Sequence, residues 1–217
     1  MSVWVSECWG GARFSLEVSR LVHHEHTGLQ DLWVLESEGF GRLMVLDGCV
    51  MLTERDEFVY HEMIAHVPLL QHPKPARVLV VGGGDGGTLR EILRHKEVER
   101  ATLCEIDRRV VEVSREHMPG VPAGAFEDPR VELRIADGVE LLASVEPGSF
   151  EVLMVDSTDP VGPGEALFTE SFYRSCRRAL SADGLLVVQS ESPFAHPELF
   201  SRVQARMAAA FAWVRPY

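Results

Sequence analysis

The chain has 217 residues, 33 acidic against 21 basic side chains for a formal charge of −12, and 46% hydrophobic with 25% charged residues. That is ordinary for a soluble globular protein of one α/β domain plus a small appendage. The acidic balance excludes nucleic acid as an expected partner, because phosphate backbones are held by clustered Lys and Arg. No apolar run has the length of a membrane span. The opening MSVWVSECWGG lacks a basic region followed by an apolar core, so no signal peptide is read, and a cytoplasmic protein is expected. Cys8, Cys49, Cys104 and Cys176 are widely spaced and form no C-x-x-C pair, as expected of thiols in a reducing compartment.

In chain order, residues 1–55 alternate and turn often. RFSLEVSRLV, DLWVLES and GRLMVLD are separated by HTG, SEGFG and DG, which predicts a small antiparallel β-domain. TERDEFVYHEMIAHVPLL then predicts a linking helix over 56–71. Thr53 caps its start, Asp56 follows three residues on, and Phe58, Met63, Ile64, Val67 and Leu70 form its buried face. HPKPA (72–76) is a proline-rich break. Beyond it, strands at 77–81, 101–106, 131–135, 151–155 and 184–190 alternate with helices at 87–95, 107–117, 138–144, 170–180 and 196–211. Continuous apolar strands alternating with helices predict a parallel sheet with both faces covered. The expected division is therefore a β-domain over 1–55 and a Rossmann-like α/β domain over 56–217.

The chemistry-bearing motif is VVGGGDGGTLRE (80–91). Gly82, Gly84 and Gly87 satisfy G-x-G-x-x-G between a strand and a helix, and Glu105 follows Gly84 by 21 residues at the end of the next strand. An acid there holds the ribose hydroxyls of an adenosine. Asp85 is the anomaly. A pyrophosphate on this loop would meet its charge, and two unit charges about 4 Å apart repel by about 4 kcal/mol at an effective dielectric near 20. A cationic adenosine derivative without phosphate, such as a sulfonium, gains where a dinucleotide loses. Asp137, Asp156 and Asp159 also follow strand ends. With Asp85 and Glu105 they put five acids along the carboxyl edge, where open α/β sheets bind ligands.

Two histidine clusters are read as non-metal. In HHEH (23–26), His24 and His26 share one strand face while His23 points away. In HEMIAH (61–66), the second histidine is one residue too far along to share the helix face required by H-E-x-x-H. On residue chemistry alone, Asp156 and Asp159 also suit turn formation in S-T-D-P-x-G-P, and Tyr60 and His61 also suit ordinary helix positions.

GGGDGG (82–87), CEID (104–107), ADG (136–138) and DSTDPVGP (156–163), with HTGLQDL, LDG and TERDEFVYHEM upstream, resemble the polyamine aminopropyltransferase (spermidine synthase) family over nearly the whole chain. The resemblance implies a methyltransferase-type Rossmann-like fold. It implies transfer of an aminopropyl group from decarboxylated S-adenosylmethionine, a co-substrate, to putrescine or a similar amine, giving spermidine and methylthioadenosine. No prosthetic group and no metal are implied. By resemblance, Gln30, Gly82, Gly84, Asp85, Glu105, Asp137, Gly138 and Pro163 hold the donor, with Asp85 on the ammonium of its aminopropyl chain. Asp156 is the proton acceptor, and Tyr60, His61, Asp85, Asp156 and Asp159 face the amine. Glu191, after the fifth strand, is a further candidate for the amine side.

A homodimer or higher homo-oligomer is expected, with the N-terminal strands as contacts. Two departures from the family pattern stand out. Met51 replaces a usual glutamine, and the chain stops at WVRPY, where closing antiparallel strands are expected to begin. A methyltransferase and a non-catalytic polyamine- or nucleoside-binding relative are the competing functions.

Overall fold

A computed structural model describes residues 3–9, 12–158, 162–190 and 192–217. Strands β1 (Val3–Trp9) and β2 (Ala12–Val18) form an antiparallel hairpin. Strands β3 (Arg20–His26), β4 (Asp31–Ser37), β5 (Gly41–Leu46) and β6 (Cys49–Thr53) form an antiparallel meander. Helix α1 (Glu57–Gln71) leads into a five-stranded parallel sheet of β7 (Arg77–Gly82), β8 (Arg100–Glu105), β9 (Val131–Ile135), β10 (Phe150–Asp156) and β11 (Leu180–Val188). Between and after them lie α2 (Gly87–Leu93), α3 (Arg108–His117), α4 (Gly138–Ser144), α5 (Glu170–Ala179) and α6 (Pro197–Ala208). The fold is thus Rossmann-like, preceded by antiparallel strands. No strand follows β11 among the described residues.

The sheet order is β11-β10-β7-β8-β9. From β7 the chain winds first to one side and then, through β10, to the other. The switch point therefore falls between β7 and β10, whose last residues, Gly82 and Asp156, are register partners. Crevices at such points are where α/β sheets take ligands. Alternation along each strand covers both faces. Val78, Val80 and Leu103 pack with Leu89 and Ile92 of α2 on one face. Leu79, Val81, Leu153 and Val155 pack with Phe172 and Tyr173 of α5 on the other.

The meander is docked onto α3, where Leu32, Val34 and Met44 share a core with Val110, Val113 and Met118. A polar clamp joins them as well. Thr27 Oγ1 donates to Asp107 Oδ2 at 2.6 Å, and Gln30 Nε2 donates to the same oxygen at 2.8 Å. Asp107 also caps α3, accepting from the Arg109 amide.

Three local expectations are corrected. β1 is an additional strand, and the run read as 13–22 is broken at Ser19 into β2 and β3. Thr53 does not cap α1: its hydroxyl donates to Asp56 Oδ1 at 2.5 Å, and Asp56 occupies the cap position. The buried face of α1 is His61, Ile64, Ala65, Pro68 and Leu69. Phe58, Met63, Val67 and Leu70 are exposed, Leu70 by 77%. The helix is apolar on more than one side, so periodicity alone cannot choose its inner face. The ionic partners of Glu57 and His61, described next, lie on the inner side.

Candidate active site

The glycine loop between β7 and α2 has its shape for steric reasons. Gly82 has φ +83°, and a Cβ there would lie 2.0 Å from the Asp156 carbonyl oxygen. The next amide, Gly83 N–H, donates to that oxygen at 2.7 Å. The loop is thus stitched to the end of β10, a contact only a residue without a side chain allows. At the other end of the loop, a Cβ on Gly87 would lie 2.3 Å from the His61 ring. Above this edge opens a cavity of about 760 Å³. Its lining brings together Gln30, Tyr60, His61, Gly82, Gly84, Asp85, Glu105, Asp137, Gly138 and Asp156 of the sequence-derived set, along with Met51.

On the adenosine side of this set, Glu105 is 7% exposed. Its Oε2 accepts from the Gly84 amide at 3.1 Å and its Oε1 from the Asp107 amide at 2.8 Å. Burial pushes its carboxyl up to about 7, assisted by the nearby Asp107 and Asp85 charges. Asp137 caps α4, accepting from the Val139 amide at 2.7 Å. A Cβ on the adjacent Gly138 would meet Val81 at 2.4 Å. Gln30 reaches the cavity wall while its amide is held by Asp107. Pro163 belongs to the 3-10 segment Gly162–Phe168. Asp159 and Glu191 lie outside the described residues.

The second half of the site is an ionic chain. Arg90 Nη1 and Nη2 donate to the two oxygens of Glu57 at 2.8 and 2.9 Å. Glu57 Oε2 lies 2.5 Å from His61 Nδ1. His61 Nε2 lies 3.2 Å from Asp85 Oδ1. Asp85 Oδ1 also accepts from the Gly87 amide at 2.7 Å. Beside this chain, Asp156 is held by two hydroxyls: Tyr60 donates to Oδ1 at 2.7 Å and Thr88 Oγ1 to Oδ2 at 2.6 Å.

The two aspartates are driven apart electrostatically. Burial pushes both carboxyls up, but the charge and hydrogen bond of His61 carry Asp85 below its usual range. Asp156 stays raised, by burial and by the Asp85 charge. Their surroundings thus push the two carboxyls in opposite directions, a separation that lets neighbouring acids take different roles.

Sequence reading missed Glu57, Arg90, Thr88 and Gln189. Gln189 follows β11 and lines the same cavity. Glu57 and His61 are an i,i+4 pair, a signal present in the sequence but shared by many helix surfaces. His66, the second histidine of HEMIAH, belongs elsewhere: it faces His95 at 2.8 Å and Glu91 at 3.2 Å. Glu62, His66 and Glu91 have metal-ligand chemistry, but Arg90 and Arg94 already neutralise Glu91, each at 2.8 Å.

Comparison with known proteins bears on the chain as a whole. The profile described as "Spermine/spermidine synthase domain" matches residues 57–217, and "Spermidine synthase tetramerisation domain" matches 3–54. A polyamine aminopropyltransferase of Bacillus mycoides is 49% identical over 200 residues, 92% of this chain and 72% of the relative. A spermidine synthase of Dictyostelium discoideum is 49% identical over 192 residues, 88% and 67% respectively. A crystal structure of spermidine synthase with the transition-state analogue AdoDATO superposes with a TM-score of 0.94 at 40% identity, covering 97% of this chain and 72% of that one. The Thermotoga maritima spermidine synthase structure gives 0.90 at 38%, covering 97% and 71%. With one profile over 57–217 and relatives at nearly half identity over most of its length, the chain belongs to the spermine/spermidine synthase family.

Proposed function

We propose that this protein transfers the aminopropyl group of decarboxylated S-adenosylmethionine to putrescine or a similar diamine. The observation that carries this reading is the Asp85–Asp156 pair at the sheet's switch point, one carboxylate against His61 and the other held by the Tyr60 and Thr88 hydroxyls. Glu105 and the Asp137–Gly138 turn hold the adenosine. Asp85 binds the ammonium at the end of the aminopropyl chain. The acceptor amine reaches Asp156 past Tyr60. As its nitrogen attacks the carbon next to sulfur, the C–S bond breaks with its electron pair to sulfur, and the amine proton passes to Asp156. The hydroxyls of Tyr60 and Thr88 fix the carboxylate's direction, and each oxygen keeps a lone pair for the amine.

A methyltransferase would have to place its donor's carboxylate near Asp85, against a held negative charge. That favours the decarboxylated donor. A soluble, cytoplasmic homo-oligomer assembled through the N-terminal strands accompanies this reading. The match of residues 3–54 to the tetramerisation profile supports the oligomer.

The test is a mass-spectrometric assay of the purified protein with decarboxylated S-adenosylmethionine and a panel of amines. Methylthioadenosine with a matching aminopropylated amine is the expected result. A folded protein that binds the donor but forms neither product would overturn the catalytic reading in favour of a binding protein.

A further inference from the structure

His61 lies with each ring nitrogen against a different carboxylate, Nδ1 on Glu57 and Nε2 on Asp85. Its side chain is 2% exposed, so water does not substitute for either partner. An ionised carboxylate only accepts, and a neutral imidazole carries one N–H. With both carboxylates ionised, the two contacts are satisfied together only when the ring carries two protons, and a proton on Asp85 instead is opposed by the Gly87 amide that donates to the same oxygen. Placing the extra proton on Glu57 instead is opposed by Arg90, which holds both Glu57 oxygens and is itself fixed by the Val121 carbonyl and Glu91. The groups facing the ring are therefore Glu57 and Tyr60 from α1, Arg90 beyond Glu57 on α2, Asp85 from the glycine loop and Asp156 from β10. Charge alternates along Arg90, Glu57, His61 and Asp85, and the chain ends beside Asp156.

We propose that Glu57, anchored by Arg90, is a positioning residue for aminopropyl transfer: it keeps His61 an imidazolium, and that cation keeps Asp85 ionised so that the amine proton goes to Asp156. The inference rests on the function proposed above for its catalytic meaning, but not for its charge states. The charges around the ring act in the same direction as the geometry. Burial pushes the ring's pKa down, yet Asp85 and Glu57 together raise it to about 10.

Two measurements test this. The first needs no substrate: ring-nitrogen NMR of His61 in the folded wild-type protein between pH 6 and 9. Imidazolium-type shifts for both nitrogens are expected throughout, and a neutral ring at pH 8 overturns the proposal. The second is Glu57→Gln, which keeps the side chain's size, removes its charge and gives up one of the two Arg90 hydrogen bonds. With the ring neutral, Asp85 and Asp156 both become harder to ionise. The acid limb of kcat/KM moves up by about one pH unit, as loss of a neighbouring charge does, and Glu57→Asp restores it. An unmoved limb in folded Glu57→Gln overturns the positioning role. If the protein catalyses no aminopropyl transfer, the function reading fails, while the NMR result still decides the ring's charge.

Discussion

Asp85 and Asp156 are chemically identical side chains, both drawn out of water, and they differ in what faces them. Asp85 has a cation in direct contact, whereas Asp156 is held by two neutral hydroxyls and feels that cation only at a distance, beside the Asp85 charge. The donor's ammonium needs a group that stays anionic, and the amine proton needs one able to accept it. Asp156→Asn preserves shape and removes the base. It should lower kcat by about 10²-fold or more and leave donor affinity largely intact, as read by steady-state kinetics and calorimetry; unchanged turnover would remove Asp156 from its role. Asp85, Glu105, Asp137 and Asp156 were legible because each lies at or just past the end of a strand, and strand ends are visible in sequence. Glu57, Arg90 and Thr88 were not. Glu57 and Arg90 act through a contact between α1 and α2, and Thr88 through one between α2 and the end of β10; nothing in a single chain announces which of many i,i+4 pairs meets a third element.

At the scale of elements, the site depends on α1 approaching the glycine loop closely enough for His61 to rest on Gly87. The ring cannot retreat, since Glu57 and Asp85 hold it from two sides. Gly87→Ala, with its Cβ 2.3 Å from the ring, should cost about 1–3 kcal/mol of stability and disturb Asp85. Gly120→Ala, where a Cβ meets nothing within 4 Å, should stay within about 0.5 kcal/mol of wild type. Denaturant midpoints of the two variants would show the contrast, and equal midpoints would contradict it. The alternation of strands and helices after residue 76 was readable because buried parallel strands are continuous apolar runs. The inner face of α1 was not, because Phe58, Met63, Val67 and Leu70 make a second apolar side that stays exposed in the single chain.

At the scale of the whole molecule, the four-stranded meander and the five-stranded sheet meet beside the cavity, and the joint is partly apolar, through α3, and partly the Thr27–Gln30–Asp107 clamp. Because Asp107 also donates its amide to Glu105, the N-terminal meander is mechanically tied to the adenosine side of the site. The β1–β2 hairpin leaves Val3, Trp4 and Phe14 exposed by 62, 54 and 38%, an apolar surface of the kind that marks contacts between chains. Trp4→Asp should shift sedimentation toward smaller species while leaving donor binding in place; an unchanged distribution would put the assembly surface elsewhere. The order of β-domain before α/β domain follows from texture along the chain. How the two dock does not, because Asp107 reads as an ordinary helix cap until the partner strands are in place.

The position of Glu105 carries one further consequence, for calorimetry. A ligand whose ribose hydroxyls donate to this carboxylate and whose sulfonium is positive favours its ionised form. With the group poised at about 7, donor binding below neutrality must expel the proton that Glu105 holds in the free protein. Apparent binding enthalpy near pH 6 should therefore vary with the ionisation heat of the buffer, with a slope approaching one released proton. By about pH 9 the slope should vanish, since the carboxyl is then already ionised. Affinity rises with pH across the same interval, and a slope of zero at pH 6 would mean the acid is already charged before the donor arrives.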